Sequence, residues 1–489
     1  MKNLIKIIFV LSFLLPLYAH SQVVTWQRWY DYNNYEDDGT DVIQLYDGSY
    51  AILSNNYPIF NGSAVFKLDQ FGNVEWKTLY NEININSKFV LLKTITQVNN
   101  NSYLISGSDG DSALILKINS TGGIVWLKKY SKLNRNAGFI NHKITNDGGI
   151  IACGYLYDPS IGYVVKTDSL GIMQWDSVYV QTSDILKIIQ SQNDYFFMLG
   201  IQSNSKSNNR NKHSEVIKIH PNFYNLGLTQ ANVIKTNKIG SIIHEEKLFL
   251  PNPIDIIQHS SGDIFIGGGL DSMILYKLDS SGLIIFQKSY YRGISGCASM
   301  CVSKDGNVLL AGVKNTTMVA SKIKSNGDLI FSKPIPTILN TMFAFLPYAV
   351  NSTYDSGFIF TGFTNYPPTF HESNIYASKT DSSCNAPLMV GINNNNSSIS
   401  ENFKFYQNYP NPFNPVTRIK YNVSIPGFVN LEIFDLKGKE ICKLVNIYQQ
   451  SGNYDIQFNA LNYNLTSGVY FCKLNLNKKS AIIKLVLLK

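Results

Sequence analysis

Short apolar runs alternate with turn-forming polar residues along most of the chain, and the alternation repeats. The stretch AVFKLDQFGNVEWK (residues 64–77) has an apolar run, an Asp/Asn/Gly-rich segment and a second apolar run that carries an aromatic residue. A glycine that can adopt φ > 0 between two such runs is typical of a β-hairpin. The glycine follows a reference lysine by five residues and the aromatic follows by nine at five places, Lys67–Trp76, Lys117–Trp126, Lys166–Trp175, Lys277–Phe286 and Lys322–Phe331.

A second hairpin precedes each of these units, as in YDGSYAILS from Tyr46 and KDGNVLLAG from Lys304. With weaker units centred on Lys218 and Lys379 there are seven copies, spaced 52 residues apart on average from Lys67 to Lys379. Four strands fit in each copy. A blade of this kind buries its faces only against its neighbours, so the pattern predicts a seven-bladed β-propeller over residues 22–384.

The two ends of the repeat array complement each other. The unit at Lys379 continues as KTDSSCNAPLMV, without an aromatic fourth strand, whereas VTWQRWYD (Val24 to Asp31) is an aromatic strand with no hairpin before it. We therefore expect the strand around Trp26 to pair with the strand near Lys379, which would close the ring and remove two exposed sheet edges.

The connections differ in length, and the long ones are predicted to share one face of the disc, since alternate connections of an up-and-down blade lie on the same side. They are Asn55 to Ser63, Tyr155 to Gly162, Gln202 to Ser214 and Thr364 to Asn374 within blades, and Asn225 to Pro251 and Lys333 to Met342 between blades. Variable surface loops commonly carry binding residues. The candidates are Tyr57, Phe60, Tyr155, Tyr157, Arg210, Tyr366, Phe370 and His371. Ordinary loops of a Tyr- and Asn-rich chain are the alternative for each.

Composition favours an exported β-rich protein. The 489 residues are 44% hydrophobic and only 16% charged, with 30 Tyr and 27 Phe. The net charge of +8 comes without clustered Lys and Arg, so no nucleic-acid surface is indicated. Met1 to Ser21 has a basic start, an apolar centre and small residues before Gln22, which predicts a signal peptide over residues 1–21. A membrane anchor is the alternative, but the apolar run is shorter than the roughly 20 residues of a span.

Signals for catalysis or metal binding are weak. The sequence has no HExxH, GxSxG or P-loop motif, and YEDDGTD (Tyr35 to Asp41) lacks the spacing of an EF-hand. We therefore predict no catalytic residue, metal or cofactor. The six cysteines leave two pairings open, Cys297 with Cys301 and Cys442 with Cys472. We interpret the repeated aromatics as packing between blades, and the repeated lysines as stems along a neighbouring blade with ammonium groups at the edge.

Beyond an Asn- and Ser-rich linker (385–402), residues 403–489 form a compact module. Pro410, Pro412 and Pro415 favour an extended lead-in, and about six short alternating strands follow, which predicts a small Ig-like β-sandwich.

Two resemblances add to this interpretation. The repeat is similar to the tryptophan-docking motif of quinoprotein propellers, but the spacing from Asp69 to Gly72 is one residue shorter, and it looks more like propellers of exported Bacteroidota proteins. The module strongly resembles the type A sorting domain of the type IX secretion system. The matching residues are Tyr409, Pro410, Asn411, Pro412, Phe413, Asn414, Gly438, Gly468, Tyr470 and Lys489. This resemblance implies recognition by an outer-membrane translocon, removal by a sortase-like peptidase, and delivery to the cell surface or the medium.

Three functions are compatible with these observations. The favoured hypothesis is a non-catalytic surface or secreted propeller that binds glycan or protein through the variable-loop face. The alternatives are a carbohydrate-active enzyme whose carboxylates converge in the central channel, and a structural component of the cell envelope.

Overall fold

A computed structural model describes most of the chain. The described residues are 24–31, 36–57, 62–81, 85, 90–202, 230–294, 296–315, 317–335, 345–364, 374–387, 403–423, 426–436, 438–450, 452–476 and 479–488. The chain divides into two compact units, residues 1–392 and 393–489. This boundary falls within the segment 385–402.

The first unit contains, among its described residues, seven four-stranded antiparallel sheets. Blade 1 has β2 (Glu36–Gln44), β3 (Tyr50–Tyr57), β4 (Gly62–Leu68) and β5 (Val74–Tyr80); blade 2 has β6 (Leu91–Asn99), β7 (Ser102–Ser108), β8 (Ala113–Asn119) and β9 (Ile124–Tyr130); blade 3 has β10 (Ala137–Ile144), β11 (Ile150–Leu156), β12 (Ile161–Thr167) and β13 (Met173–Tyr179).

Blade 4 has β14 (Thr182–Gln190), β15 (Phe196–Gln202), β16 (Ala231–Thr236) and β17 (Ile242–Leu248); blade 5 has β18 (Pro253–Gln258), β19 (Ile264–Gly268), β20 (Ser272–Leu278) and β21 (Ile284–Arg292); blade 6 has β22 (Gly296–Val302), β23 (Val308–Lys314), β24 (Thr317–Ile323) and β25 (Leu329–Pro334). Blade 7 has β26 (Phe345–Ser352), β27 (Phe358–Thr364), β28 (Asn374–Thr380) and, as its outer strand, β1 (Trp26–Tyr30).

The ring is closed by its N-terminal strand. β1 is antiparallel to β28, with Trp26 opposite Lys379, and β2 of blade 1 packs against the strands of blade 7. The predicted seven-bladed propeller, and its closure by the strand around Trp26, are both confirmed.

Stability comes from the interfaces between blades. Among the described residues of the propeller, the buried apolar side chains form seven clusters, and each cluster combines residues of two neighbouring blades. In the cluster between blades 1 and 2, for example, Leu53 and Val65 pack with Ile105 and Leu116. Burial of one such side chain contributes about 1.5–3 kcal/mol, and a single blade has no partner for these faces. The sequence period therefore reflects a packing requirement that recurs at every interface.

The repeated lysine and aromatic residue lie opposite each other on the third and fourth strands of a blade. Lys67 pairs with Trp76, and the equivalent pairs recur in every blade, ending with Lys379 and Trp26. The aromatic ring then contacts the turn of the next blade. A Cβ atom on Gly122 would lie 2.4 Å from Thr78 Oγ1 and 3.1 Å from the ring of Trp76. The backbone φ angle of Gly122 is +85°. Only glycine fits this position without strain.

The landmark of the fourth unit is Lys235 and not Lys218. Lys235 lies on β16 and pairs with His244 on β17, with Gly240 in the turn between them. The spacing is that of the other units, but histidine replaces the aromatic residue, and the aromatic criterion therefore missed this copy. The predicted connection from Asn225 to Pro251 is also wrong, because it contains both strands. Lys218 itself lies outside the described residues.

The repeated lysines make ion pairs that the sequence analysis did not anticipate. The ammonium of Lys166 lies 2.9 Å from Asp147 Oδ2, and that of Lys379 lies 2.8 Å from Asp355 Oδ2. Lys67, Lys277 and Lys322 pair with Asp47, Asp263 and Asp305 in the same way. Each aspartate belongs to the turn between the first and second strands, so these pairs join that turn to the third strand of the same blade.

The second unit is a two-layered β-sandwich, as predicted. Its strands are β29 (Phe403–Phe405), β30 (Val416–Val423), β31 (Gly427–Phe434), β32 (Glu440–Gln449), β33 (Gly452–Asn459), β34 (Gly468–Leu476) and β35 (Lys479–Leu487), with a 3₁₀ helix η1 (Ala460–Tyr463). One sheet has the order β29-β30-β33 and the other β32-β31-β34-β35. Alternate residues such as Ile419, Tyr421 and Val423 point into the shared core, with exposures of 1% or less.

Neither open disulfide pairing occurs, and all six cysteines are free. Cys442 and Cys472 both lie opposite Ile433, on either side of β31. Two strand spacings separate their backbones by about 9–10 Å, whereas a disulfide requires roughly 4.4–6.8 Å. Cys297 and Cys301 are four residues apart on one extended strand, which separates them by about 13 Å.

Candidate functional site

The first strand of every blade lines the central channel, and every one of these seven strands has a β-bulge near its start. A bulge adds one unpaired residue and redirects the neighbouring side chains. The residue after the bulge differs from blade to blade. In order these channel-ring residues are Asp41, Thr94, Asn141, Lys187, Asp255, Ser299 and Ala349.

Several channel-ring residues connect neighbouring blades. Asp41 Oδ2 accepts hydrogen bonds from Thr94 Oγ1 at 2.8 Å and from the backbone N–H of Ile95 at 2.9 Å. Ser299 Oγ accepts from the N–H of Val350 at 3.1 Å. The bulges leave backbone N–H groups that need an acceptor, and a polar side chain of the preceding blade supplies it.

The channel encloses a cavity of about 560 Å³, within the usual size of a ligand site. Its lining contains two carboxylates, Asp41 and Asp255, and three lysines, Lys93, Lys143 and Lys187. Lys187 lies 4.0 Å from Asp255. Lys93 and Lys143 make neither an ion pair nor a hydrogen bond with any residue in the described ranges. The channel therefore carries more unpaired positive than negative charge.

The protein environment changes the acidity of these groups. Burial lowers the pKa of Lys93 to about 8, against a smaller upward effect of Asp38. Burial, together with the charge of Lys187, also lowers the pKa of Lys143. Burial alone would lower the pKa of Lys187, but the combined effect of Asp255, Asp41 and Cys153 outweighs burial and raises that pKa. Burial also raises the pKa of Asp255. Lys143 is enclosed by protein but open to the lumen, so lumen water moderates its shift.

The two ends of the channel have different connections. Five-residue turns join most first and second strands (45–49, 145–149, 191–195, 259–263, 303–307 and 353–357), and similar turns join the third and fourth. The connections between second and third strands range from two to 28 residues (58–61, 109–112, 157–160, 203–230, 269–271, 315–316 and 365–373). We call the end with these unequal connections the variable-loop face, and the other end the short-turn face.

Contacts in the described ranges bring the unequal connections together. Tyr157, between β11 and β12, accepts a hydrogen bond through its backbone carbonyl from Arg135 Nε at 2.8 Å, and Arg135 also bonds the carbonyl of Pro159. Arg135 belongs to the connection between blades 2 and 3. The N–H of Ala137 likewise bonds the carbonyl of Asp111 at 3.2 Å. Within-blade and between-blade connections thus meet on one face at these places.

Two of the predicted binding residues can be placed in full. Tyr157 is 41% exposed on the variable-loop face. Tyr155 is half-buried: its hydroxyl bonds Ser108, burial raises its pKa to about 12, and its ring covers Gly138 of β10. Tyr155 therefore packs between blades 2 and 3. The side chain of Tyr57, at the end of β3, and all of Phe60, Arg210, Tyr366, Phe370 and His371 lie outside what the structure describes.

Two groups of residues escaped the sequence analysis. One is the channel ring, which has no common residue type and so left no repeat signal. The other is a tyrosine four residues after the aromatic in five blades, at Tyr30, Tyr80, Tyr130, Tyr179 and Tyr290. Each hydroxyl donates to the carbonyl of the turn glycine in the next blade, at 2.7–2.8 Å. The spacing of these tyrosines is visible in the sequence and could have been found.

The proline-rich motif of the second unit joins its two sheets. Tyr409 exchanges two backbone hydrogen bonds of 3.0 Å with Arg418 of β30, and the N–H of Phe413 bonds the carbonyl of Val486 in β35 at 2.9 Å. Asn411 Oδ1 accepts from the N–H of Val486 at 2.8 Å. Phe413 is 2% exposed in the core, whereas Tyr409 is 82% exposed. The motif therefore fixes the last strand to both layers and presents a tyrosine to solvent.

The other motif residues have identifiable structural places. Pro410 accepts a 2.8 Å hydrogen bond from Thr417 Oγ1 through its carbonyl, and Gly438 ends the Asp435 turn at φ +77°. Gly468 pairs with Leu487 of the last strand, and the buried Tyr470 donates to the carbonyl of Thr466 at 2.8 Å. Pro412 and Asn414 lie in the same segment. Lys489 is outside the described residues.

Within the described ranges, no three His, Cys, Asp or Glu side chains gather at a place that could hold a metal ion. The same part of the chain contains no helix with the length and apolar character of a membrane span. The proposed signal peptide (1–21) lies outside it.

A family model matches residues 407–488 and is described as a secretion system C-terminal sorting domain. This confirms the sorting-domain prediction and indicates export by type IX secretion to the cell surface or extracellular space. No curated protein matches the sequence of the chain.

Several solved structures are similar to this chain at low identity. They include PorZ, a surface component of the type IX secretion system of Porphyromonas gingivalis (9% identity, 92% of this chain and 81% of that one, TM-score 0.28), and the WD40 propeller domain of Doa1 (11%, 74% and 99%, TM-score 0.48). A third is a protein of unknown function from Bacteroides caccae (9%, 55% and 89%, TM-score 0.37). Because these TM-scores are below 0.5, the fold assignment rests on the strand pairing of this chain.

Proposed function

We propose that this exported propeller is a non-catalytic binding protein that recognises a glycan or protein through its variable-loop face. The observation that carries the proposal is the unequal distribution of connection lengths. One face has nearly uniform five-residue turns, whereas the connections on the other vary from two to 28 residues. A rigid scaffold that varies its loops on one face only is typical of binding proteins, because that face can change without disturbing the packing of the blades.

The loop between β11 and β12 is the best-defined part of this face. Tyr157 exposes its side chain while its backbone is held by Arg135, so an aromatic surface is presented on a fixed backbone. Tyrosine and arginine are the residue types that most often dominate binding energies. In the same proposal, residues 22–384 form the delivered part, 385–402 the tether and 403–489 the sorting module, which a translocon recognises and a sortase-like peptidase removes.

The binding function is tested with the full exported chain on a glycan array and in pull-downs from the growth environment. For any ligand so identified, we expect Tyr157→Ala and Arg135→Ala to weaken binding by about tenfold or more. Tyr354→Ala is the matched control, since Tyr354 is 47% exposed on the short-turn face. A ligand whose binding depends on Tyr354 and not on Tyr157 or Arg135 would overturn the assignment of the face.

The sorting proposal has a separate test. Deletion of residues 403–489 should leave the protein in the periplasm, because the propeller would lack its export signal for the outer membrane. Cell fractionation and intact mass of the exported form measure the result. Surface delivery of the truncated chain would contradict the proposal.

A further inference from the structure

Several hydrogen-bond acceptors of the channel lining already accept bonds from the protein itself. Both carboxylate oxygens of Asp41 are occupied, Oδ1 by the N–H of Val42 at 2.9 Å and Oδ2 by Thr94 and Ile95. The side-chain oxygen of Gln97 accepts from the N–H of Tyr46 at 2.8 Å, and that of Asn141 accepts from the N–H of Ile188 at 3.4 Å. Asp255 is shared between the N–H of Ile256 and Lys187.

Its donors, by contrast, remain available. The ammonium groups of Lys93 and Lys143 have no acceptor in the described part of the chain, and the same holds for the amide nitrogens of Asn141 and Gln97. All four residues line the same cavity. Two ammonium groups and two amide nitrogens without an acceptor complement an oxyanion, which supplies only acceptors.

Neither the half-buried Lys93 nor the lumen-exposed Lys143 has a carboxylate within ion-pair distance in the described part of the chain. Charged groups that are removed from bulk water destabilise a protein unless they are paired. The protein has pairing aspartates elsewhere: five outer lysines each have one. In the channel Lys187 has Asp255, but Lys93 and Lys143 have no such partner among the described residues. An anion from outside the chain would supply the missing partner.

We propose that the central channel binds a small acidic saccharide, and that Lys93 and Lys143, at two depths of the channel, donate to its carboxylate or sulfate oxygens and to its other ring oxygens. Lys93 is the bulge residue of β6, and Lys143 lies three residues after the bulge of β10, so the two cations sit at different depths of the channel. Asn141 and Gln97 donate to the remaining oxygens, and the partly exposed isoleucines Ile43 and Ile257 in the lining contact the apolar face of the sugar ring. The cavity of about 560 Å³ accommodates a ligand of this size.

The proposal goes beyond loop-face binding and does not depend on it, because the two sites use different residues. The test is isothermal titration of the full exported chain with four probes: D-glucuronate, glucose 6-sulfate, glucose and inorganic sulfate. We expect at least one of the two acidic sugars to bind. Glucose should not bind, and inorganic sulfate should bind more weakly than the acidic sugar. Which acid binds identifies whether the natural group is a carboxylate or a sulfate.

Lysine variants then locate the site. Lys93→Met and Lys143→Met should each weaken binding by about tenfold or more, since a charge-assisted hydrogen bond is lost, and Lys143→Arg should retain much of the affinity. Lys247→Met is the matched control, because Lys247 is exposed on the outer strand β17. Circular dichroism of each variant excludes misfolding as the cause.

Four results would overturn the proposal. They are no binding of either acidic sugar, equal binding of glucose, binding of inorganic sulfate as tight as that of the sugars, and acidic-sugar binding that is unchanged in both methionine variants. Loss of binding in Tyr157→Ala but not in the channel variants would support loop-face binding alone. The failure of one proposal is therefore distinguishable from the failure of the other.

Discussion

The outer hairpins and the channel ring occupy equivalent places in all seven blades, but their sequences behave in opposite ways. On the outside a lysine lies opposite an aromatic residue in six blades, and in blade 4 it lies opposite His244. On the inside the ring position is an acid, a threonine, an amide, a lysine, a second acid, a serine and an alanine. The same backbone symmetry thus accompanies uniform residues in one region and varied ones in the other.

The difference follows from what each position must contact. Each outer aromatic residue packs on the turn of the next blade. Because that contact has the same shape each time, the same type of residue fits it. A channel residue faces the lumen, where it meets no recurring turn of a neighbouring blade. The bulge that directs its side chain is formed by the backbone and does not require a particular residue type. Within one chain, uniform residues therefore mark a contact that is the same in every blade, while varied residues at a geometrically fixed position mark contacts that differ from blade to blade.

The largest effect is expected at an outer glycine. Gly122 and Gly48 have almost the same φ, +85° and +84°, but a Cβ on Gly122 would lie 2.4 Å from Thr78 Oγ1, while one on Gly48 meets nothing within 4 Å. Gly48→Ala should cost about 1–2 kcal/mol through backbone strain alone. Gly122→Ala adds overpacking against the neighbouring blade and should cost about 3–4 kcal/mol.

Urea unfolding followed by tryptophan fluorescence measures this difference. All five tryptophans belong to the propeller, so the signal is independent of the C-terminal module. Equal destabilisation by the two alanine variants would show that the outer glycines are needed only for their backbone conformation, and the packing half of the comparison would then fail.

A smaller effect is expected in the channel, and it has the opposite sign. The pKa of Lys93 in the folded state is about 8, below the ordinary lysine value of 10.5. Below pH 8 Lys93 is protonated in both the folded and the unfolded state, and the folded state bears the full desolvation cost of its charge. Between pH 8 and 10.5 the unfolded chain binds more protons, so folding stability rises with pH over this window. The rise has an upper bound of about 3 kcal/mol, and lumen water reduces it to roughly 1–2 kcal/mol.

Lys93→Met removes this titration. Urea unfolding at pH 7 and pH 10 should therefore show that the free energy of unfolding of the wild type increases relative to that of the methionine variant as the pH rises. Lys247→Met is the control, because its exposed side chain should give no such difference. If the unfolding free energy of the wild type does not rise relative to that of Lys93→Met, Lys93 is not shielded from water. The unpaired inner lysine would then cost the folded state no more than the paired outer lysines.

The same contrast explains what could be predicted from the sequence. The blade number, the closure at Trp26 and the sandwich were accessible because each depends on a periodic or local signal. The fourth unit was misplaced from Lys235 to Lys218 because histidine took the aromatic place. The channel ring could not be predicted, because Asp41 and Lys187 share only a position relative to a bulge, and bulges leave no residue signature here. The ion pair of Lys166 with Asp147 could not be predicted either, because it depends on the folded proximity of β12 and the turn 145–149.

The smallest effect is expected at the outer tyrosines, and it separates hydrogen bonding from packing within the uniform region. Tyr80 is completely buried and donates to the carbonyl of Gly122 at 2.7 Å. Tyr80→Phe keeps the ring but leaves that carbonyl without its partner, so we expect a loss of about 1 kcal/mol by fluorescence-monitored urea unfolding. Tyr46→Phe, at an exposed position, should change stability by less than about 0.5 kcal/mol. A neutral Tyr80→Phe would mean that the tyrosine ring alone joins the blades, as Leu248 does at the equivalent position of blade 4, where no hydroxyl is present.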